Sequence, residues 1–347
     1  MNWARFCLAR EATILFLKRF RKPGKIYAQF MDFVRNNRDL SPSDWCFFEY
    51  WILHLVNGML PVEYFYFGGV KTSFLFKYRA VTWIRMGLAV QAINKDRPIH
   101  ILNDKKQFNE HFNEFLHRDW FNGEKKAVPF LRKHSKFIVK PIGDYGGNGI
   151  VILDLSTNSA QEKIDKCHEL NLLSGNYICE ELIEQKGILN KIHPQSVNTL
   201  RVVSLYDEDR SSAKLLSSFF RTGCDGAVTD NLKAGGILWH VDHIDGVVLW
   251  GTKKSGNYCT QHPNSDIDMS GFVIPRYHEA VSMCLEAHKK LKEVPLIGWD
   301  VVISDDFISL IEGNAGPGFH NTNPRAWSDL KEYMVEKNLS IPKVRWY

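Results

Sequence analysis

The sequence predicts an α+β protein with a mainly helical N-terminal unit, and three observations carry that reading. Residues 3–20, 25–36 and 43–57 hold apolar side chains at helical spacing, with Ser43 placed as an N-cap. From Pro98 onward, short β-branched and aromatic runs alternate with helical patterns such as 105–115 and 160–170. Within this second part, one glycine-dense segment and one acidic segment each read as a hairpin. The expected units are residues 1–97, helical; 98–200, carrying the glycine hairpin; and 201–347, carrying the acidic hairpin.

The helical unit shows no chemical motif and is expected to pack on the rest of the chain, with Tyr64-Phe65-Tyr66-Phe67-Gly68-Gly69 as a candidate substrate contact. The glycine hairpin follows. The strand Phe137-Ile138-Val139-Lys140 leads into a loop with Gly143, Gly146, Gly147 and Gly149, and Ile150-Val151-Ile152-Leu153 leads out. Glycines let the backbone take positive φ and approach a ligand closely, and successive free N–H groups can point at anionic oxygens. Lys140 adds a positive charge at the loop's root. Topology excludes the better known phosphate loops, in which a helix follows the glycines. Protein kinases place their lysine after the loop, and no H-R-D or D-F-G sequence occurs here.

The acidic hairpin reads as the strand Gly298-Trp299-Asp300-Val301-Val302-Ile303, the turn Ser304-Asp305-Asp306, and a strand from Phe307 to Asn314. A three-residue loop centred on Asp306 sets Asp300 opposite Glu312, and Asn314 shares the Glu312 face. Val302 and Leu310 are expected beside them. Two carboxylates and an amide oxygen interrupting apolar strands suit Mg²⁺ or Mn²⁺, hard cations that keep room for water and phosphate oxygens.

These residues carry a resemblance. Lys140-Pro141, Glu180-Glu181-Leu182-Ile183, and Asp300 followed by Glu312-Gly313-Asn314 with Gly316-Pro317-Gly318 resemble the ATP-grasp superfamily. Ser196-Val197-Asn198-Thr199-Leu200-Arg201-Val202, Asp230-Asn231 and Gly235-Gly236 resemble, more narrowly, its sugar-transfer-associated group. The resemblance runs from about Leu102 to Asn323, with the motifs in the family's order. It implies an ATP-grasp fold, two α+β lobes sandwiching ATP. It also implies Lys105 and Lys140 on the α- and β-phosphates, with Lys106 next to the first. Gly146, Gly147 and Gly149 form the lid. Glu180 or Glu181 faces the adenine amine, with Leu182 and Ile183 in the adenine linker and Glu184 near the ribose. Asp300, Glu312 and Asn314 are the implied metal ligands. Arg201, with Lys140, is the catalytic candidate, holding a phosphoryl group or acyl phosphate, and Arg221 is a second such arginine.

The activity implied is an ATP- and Mg²⁺-dependent carboxylate–amine ligase forming an amide through an acyl phosphate, in the modification of bacterial surface polysaccharide or a glycan precursor. The alternatives are a phosphotransferase, with Asp230, His320 or Asp242 as its base, and a non-catalytic ATP-binding protein. Composition sets the outer bounds. The chain has 347 residues, 44% hydrophobic, enough for a large core and two or three units. Seven scattered cysteines without a C-x-x-C pair point to free thiols in a reducing compartment. No apolar run spans a bilayer and charges break any signal-peptide core, so the expected location is the cytoplasm. The net charge of +5 forms no nucleic-acid stripe, but Lys18, Arg19, Arg21, Lys22 and Lys25 make a cluster suited to weak membrane-surface association. His240 and His243, three apart on an expected strand, do not pair as metal ligands.

Overall fold

A computed structural model describes residues 23–37, 44–143, 149–265, 267–318 and 322–339. The helical unit contains α1 (Pro23–Asn36), α2 (Asp44–Asn57), α3 (Pro61–Tyr66), α4 (Phe74–Arg79) and α5 (Trp83–Ile93). The expected helix over 3–20 and the Ser43 cap lie outside the described residues. Ile26, Phe30 and Val34 follow one another at helical spacing and are buried against Tyr50, Leu53 and Tyr64. Tyr64 and Phe67 are fully buried and Phe65 and Tyr66 nearly so, which makes this aromatic run core rather than a substrate contact. Each such apolar side chain, fully buried, contributes roughly 1.5–3 kcal/mol.

After α6 (His100–Asn103), Asp104 caps α7 (Lys105–His111) by accepting from the backbone N–H groups of Lys106 and Gln107, both at 2.9 Å. A four-stranded antiparallel sheet follows in the order β1-β4-β2-β3, from β1 (Trp120–Phe121), β2 (Lys136–Pro141), β3 (Val151–Asp154) and β4 (Tyr177–Glu181). The helices α8 (Glu124–Lys133) and α9 (Ala160–Glu169) cover it through Phe130, Leu131 and Cys167, packed on Phe121, Phe137 and Cys179. β2 and β3 form the hairpin expected around the glycine loop, with Val139 opposite Val151.

The larger sheet is seven-stranded and antiparallel in the order β11-β10-β5-β6-β7-β8-β9. Its strands are β5 (Thr199–Asp207), β6 (Ser212–Thr222), β7 (Ile237–Val241), β8 (Val248–Thr252), β9 (Tyr258–Cys259), β10 (Leu296–Ile303) and β11 (Ile308–Asn314); the short α10 (Ile188–Ile192) precedes them. The unit boundary expected after residue 200 falls inside β5, which pairs with β10 and β6 from Thr199. Alternation sorts the two faces. Ile297, Trp299, Val301 and Ile303 join the core beneath α11 (Tyr277–Lys289). Leu296, Val203 and Leu205 have the other parity and join the core of the helical unit and α12 (Ala326–Glu336). Asp300 and Arg201 share this second parity. The polar residues that break the apolar pattern therefore stand on one face, next to the helical unit. His240 is buried in β7 and stacks on Trp250, while His243 lies beyond the strand. Cys167, Cys179, Cys224 and Cys284 are buried free thiols.

Candidate active site between two sheets

Strand register assembles the floor of the site. Asp300 on β10 lies opposite Glu312 on β11 and opposite Arg201 on β5, so three charged side chains form one cross-strand row. The turn is one residue longer than the sequence predicts: Ile303 pairs with Ile308, and Ser304 N–H donates to Phe307 O at 2.9 Å. A bulge then restores the row. Between Asp300/Val301 the partner jumps from Glu312 to Leu310, leaving Ile311 unpaired. Leu310 accordingly stands opposite Val301, and Ser309 opposite Val302, in place of the expected Val302–Leu310 neighbours. Asn314 donates to Glu312 Oε1 at 3.1 Å, on the same face.

Asp300 is 2% exposed and held by two guanidinium groups. Arg201 grips it with Nε and with Nη2, the latter at 2.9 Å, and donates through Nη1 to Pro317 O at 2.9 Å. Gly298 admits that contact, because a Cβ there would lie 2.7 Å from the Pro317 Cβ. Arg221 Nη2 reaches Asp300 Oδ2 at 2.9 Å, and its Nε lies 3.4 Å from Asp230, which Thr199 Oγ1 also bonds. Arg201 is thus a brace behind Asp300 and not a free arm facing a phosphoryl group. A fork matched to a carboxylate takes this bidentate geometry wherever a register pairs the two.

Burial alone would raise the Asp300 carboxyl, but Arg201 and Arg221 outweigh it and hold the group well below its ordinary range. Glu312 goes the other way, pushed up by its surroundings of protein and then by Asp300. Its side chain is nevertheless open to solvent. Asp230 is raised by burial despite Arg221. A solvent-reachable carboxylate repelled by a buried one, with an amide oxygen two residues on, is a donor set that a hard divalent cation relieves. These residues fit such an ion, with Glu312 and Asn314 as the accessible donors and Asp300 behind them.

The roof is the small sheet. Lys140 pairs with Glu180, whose Oε1 also takes Arg118 Nη2 at 2.9 Å and Asn109 Nδ2 at 2.7 Å. Arg118 then reaches across to the floor, donating to Leu310 O at 2.5 Å and to Ile311 O at 3.3 Å, at the bulge beside Glu312. Lys105 Nζ donates to Pro141 O at 2.8 Å, which brings it to the root of the glycine loop. Gly149 takes φ +69°; Gly146 and Gly147, and likewise His320, lie outside the described residues.

The linker from β4 to the floor contains Leu182 and Ile183, both half-buried, and Glu184, exposed. Gln185 anchors it by donating to Asn198 O at 2.9 Å and Ile303 O at 2.8 Å. Neither Glu180 nor Glu181 is poised for an adenine amine in the way expected. Glu180 is 2% exposed and committed to Lys140, Arg118 and Asn109; burial would raise it, yet Arg118 and Lys140 hold it well below its ordinary range. Glu181, adjacent on the strand, turns to the opposite face and accepts from Asp119 N–H at 2.9 Å. There Asp119, His134 and Glu181 converge, but Lys133 Nζ lies 3.1 Å from the same Asp119 oxygen that His134 holds, so the cluster is an ion-pair group.

The family model for sugar-transfer associated ATP-grasp proteins matches residues 90–323. The chain belongs to that family. A search of curated proteins found no match. Among solved structures it is similar to the ADP complex of an N5-carboxyaminoimidazole ribonucleotide synthetase, at 9% identity over 64% of this chain and 47% of that one, TM-score 0.39. It is also similar to D-alanine–D-alanine ligase from Bacillus anthracis, at 13% identity over 76% of this chain and 78% of that one, TM-score 0.40. A third is a biotin carboxylase–nucleotide complex from Campylobacter jejuni, at 9% identity over 72% and 48%, TM-score 0.43. The chain spans about half the length of the first and third.

Within this ATP-grasp protein, sequence reasoning did not find Arg118, which joins the roof to the floor, Asn109, which supports it at Glu180, or Thr199 as the partner of Asp230. Arg118 stands alone in a loop with no periodicity around it. Asp242 accepts from Ile244 N–H at 2.8 Å in the β7–β8 turn, a structural role. A cleft of about 720 Å³ opens beside Asn314, walled by Val90, Gln91, Asn94 and Lys95 near the end of α5 and by Ile99 and Asn103.

Proposed function

We propose that this protein is an ATP- and Mg²⁺-dependent carboxylate–amine ligase that modifies a glycan or glycan precursor, with the acid or amine seated in the cleft beside Asn314. One observation supports it most. The roof sets Lys140 and Arg118 on the carboxylate of Glu180, with Lys105 at the Pro141 carbonyl, while the floor sets Asp300, Glu312 and Asp230 around Arg201 and Arg221. Triphosphate suits the first and a divalent cation the second. Mg²⁺ held by Glu312, Asn314 and Asp300 would supply charge neutralisation to the β- and γ-phosphates.

The chain's own residues then have these tasks. Lys105 and Lys140 bind phosphate oxygens, the second by leaving Glu180, which keeps Arg118 and Asn109 as partners. Backbone groups near Ile183 read the adenine edge. Arg201 fixes Asp300 and leaves positive charge behind the floor. A substrate carboxylate oxygen attacks the γ-phosphorus and ADP leaves. The amine then attacks the acyl carbon, phosphate departs with the acyl C–O bond, and the nitrogen loses its proton to solvent or phosphate. The glycine loop keeps water from the acyl phosphate. The glycan setting draws on the family's association with sugar transfer.

Of the bases that phosphotransfer to a hydroxyl could use, Asp230 is already engaged by Thr199 and Arg221 and Asp242 by the Ile244 N–H, while His320 lies outside the described residues. The deciding experiment incubates the protein with Mg-ATP, candidate uronic acids and amino acids. Free phosphate that requires both acid and amine supports the ligase, and a phosphorylated sugar without free phosphate overturns it.

A further inference from the structure

The face formed by α4 and its flanks inverts the usual arrangement of a surface helix. Val70 is 60% exposed, Phe74 42%, Leu75 51%, Tyr78 44% and Trp83 58%. One cation of this segment points inward instead. Lys77 is fully buried, ion-paired to Glu49 at 3.1 Å, and donates to Gly69 O at 2.5 Å and Thr72 O at 2.7 Å. Asn57 Nδ2 donates to Lys77 O at 2.9 Å, and Arg85 Nη1 to Tyr78 O at 2.8 Å. These bonds hold α4 with its apolar side to water, where the Phe74 and Tyr78 rings stack at 6.2 Å.

Charge follows the same division. No aspartate or glutamate occurs between Glu63 and Asp96, while Lys71 and Arg79 are exposed. The two carboxylates packed beneath this face are turned inward and used there: Glu49 takes Lys77 and Tyr64, and Glu63 takes the backbone N–H groups of Leu60 at 2.7 Å and Trp83 at 2.5 Å. An aromatic and aliphatic patch whose own chain segment carries exposed cations and no carboxylate is complementary to an anionic, amphipathic surface. A second copy fits poorly, since an isologous contact would bring the cations of this segment, Lys71 and Arg79, against their own copies.

We propose that this face docks the protein on an anionic lipid bilayer, with Phe74, Leu75 and Trp83 at the boundary of headgroups and acyl chains and Lys71 and Arg79 against lipid phosphates. This surface differs from the basic cluster at residues 18–25, of which only Lys25 is described. The test is co-sedimentation of the full chain with phosphatidylcholine vesicles, with and without about 30 mol% phosphatidylglycerol. Binding is expected to the anionic vesicles only, with release in about 0.5 M NaCl. Phe74→Ser with Leu75→Ser lowers the bound fraction about tenfold, and Lys71→Glu with Arg79→Glu lowers it to the neutral-vesicle level. Both variants keep the thermal midpoint and ATP affinity of the parent. Equal binding to both vesicle types, no binding, or unaltered binding by the variants overturns the proposal. So does a concentration-dependent dimer that the serine pair abolishes, which would make a second copy the occupant.

Discussion

The two sheets solve the same problem, a carboxylate taken out of water, in opposite ways. On the small sheet Glu180 is matched by Lys140, Arg118 and Asn109, and the cations outnumber it. On the large sheet Asp300 consumes two guanidinium groups and still faces Glu312, whose carboxyl is pushed up by burial and then by Asp300. One network puts a cation on each oxygen of its carboxylate and ties the lobes together. The other is left one cation short where solvent can reach it. A carboxylate matched by Arg118 holds the lobes and leaves Lys140 as the cation to spare, and a carboxylate repelled by its neighbour marks where a cation fits.

The largest effect that would test this contrast is loss of turnover. Asp300→Asn with Glu312→Gln should lower ATP-dependent phosphate release by about 10³-fold or more with the circular dichroism spectrum unchanged. Undiminished release would remove the cation assignment. Arg118→Met should instead act on stability, costing about 3–5 kcal/mol in urea unfolding because Glu180 loses its main partner in the interior. Adding Glu180→Gln should recover most of that loss, and failure to recover would mean Arg118 acts through packing alone. Arg201→Lys keeps the charge but not the fork, and should lower kcat about 10–100-fold while the ATP affinity stays close to the parent's.

The smallest effect is the sharpest comparison, because the two networks differ in sign. Glu180 and Asp300 sit below their ordinary values of 4.5 and 3.8, so their stabilisation is present above those values and fades as pH falls toward the folded ones. Glu312 sits above its ordinary 4.5, so the stability it contributes is present below that value and is lost as pH rises through the folded one. Glu312→Gln should therefore raise the thermal midpoint at about pH 7.5 without divalent cation and leave it little changed at about pH 4. A lower midpoint at the higher pH would mean that Glu312 is a paired structural acid like Glu180.

Much of the fold was legible because it depends on local signals. The β2–β3 hairpin, α9 and the strands β10 and β11 follow from alternation, β-branched runs and caps, and their ends differ from expectation by one or two residues. The pairing of Asp300 with Glu312 was expected from a turn shorter than the real one, and it holds only because Ile311 bulges out. No spacing argument contains that bulge. The assignments for Glu180 and Arg201 changed for a different reason: their partners, Arg118 and Asp300, lie far along the chain and are chosen by packing.

By itself, the sequence determined which residue types are present and how each segment repeats: a lysine before a glycine hairpin, acids on two apolar strands, a helical first unit. Only the tertiary structure decided which charge meets which. Periodicity fixes the face on which a side chain stands, whereas the neighbour across that face depends on sheet order, bulges and the crossing of loops such as that of Arg118, all set by contacts distant in sequence.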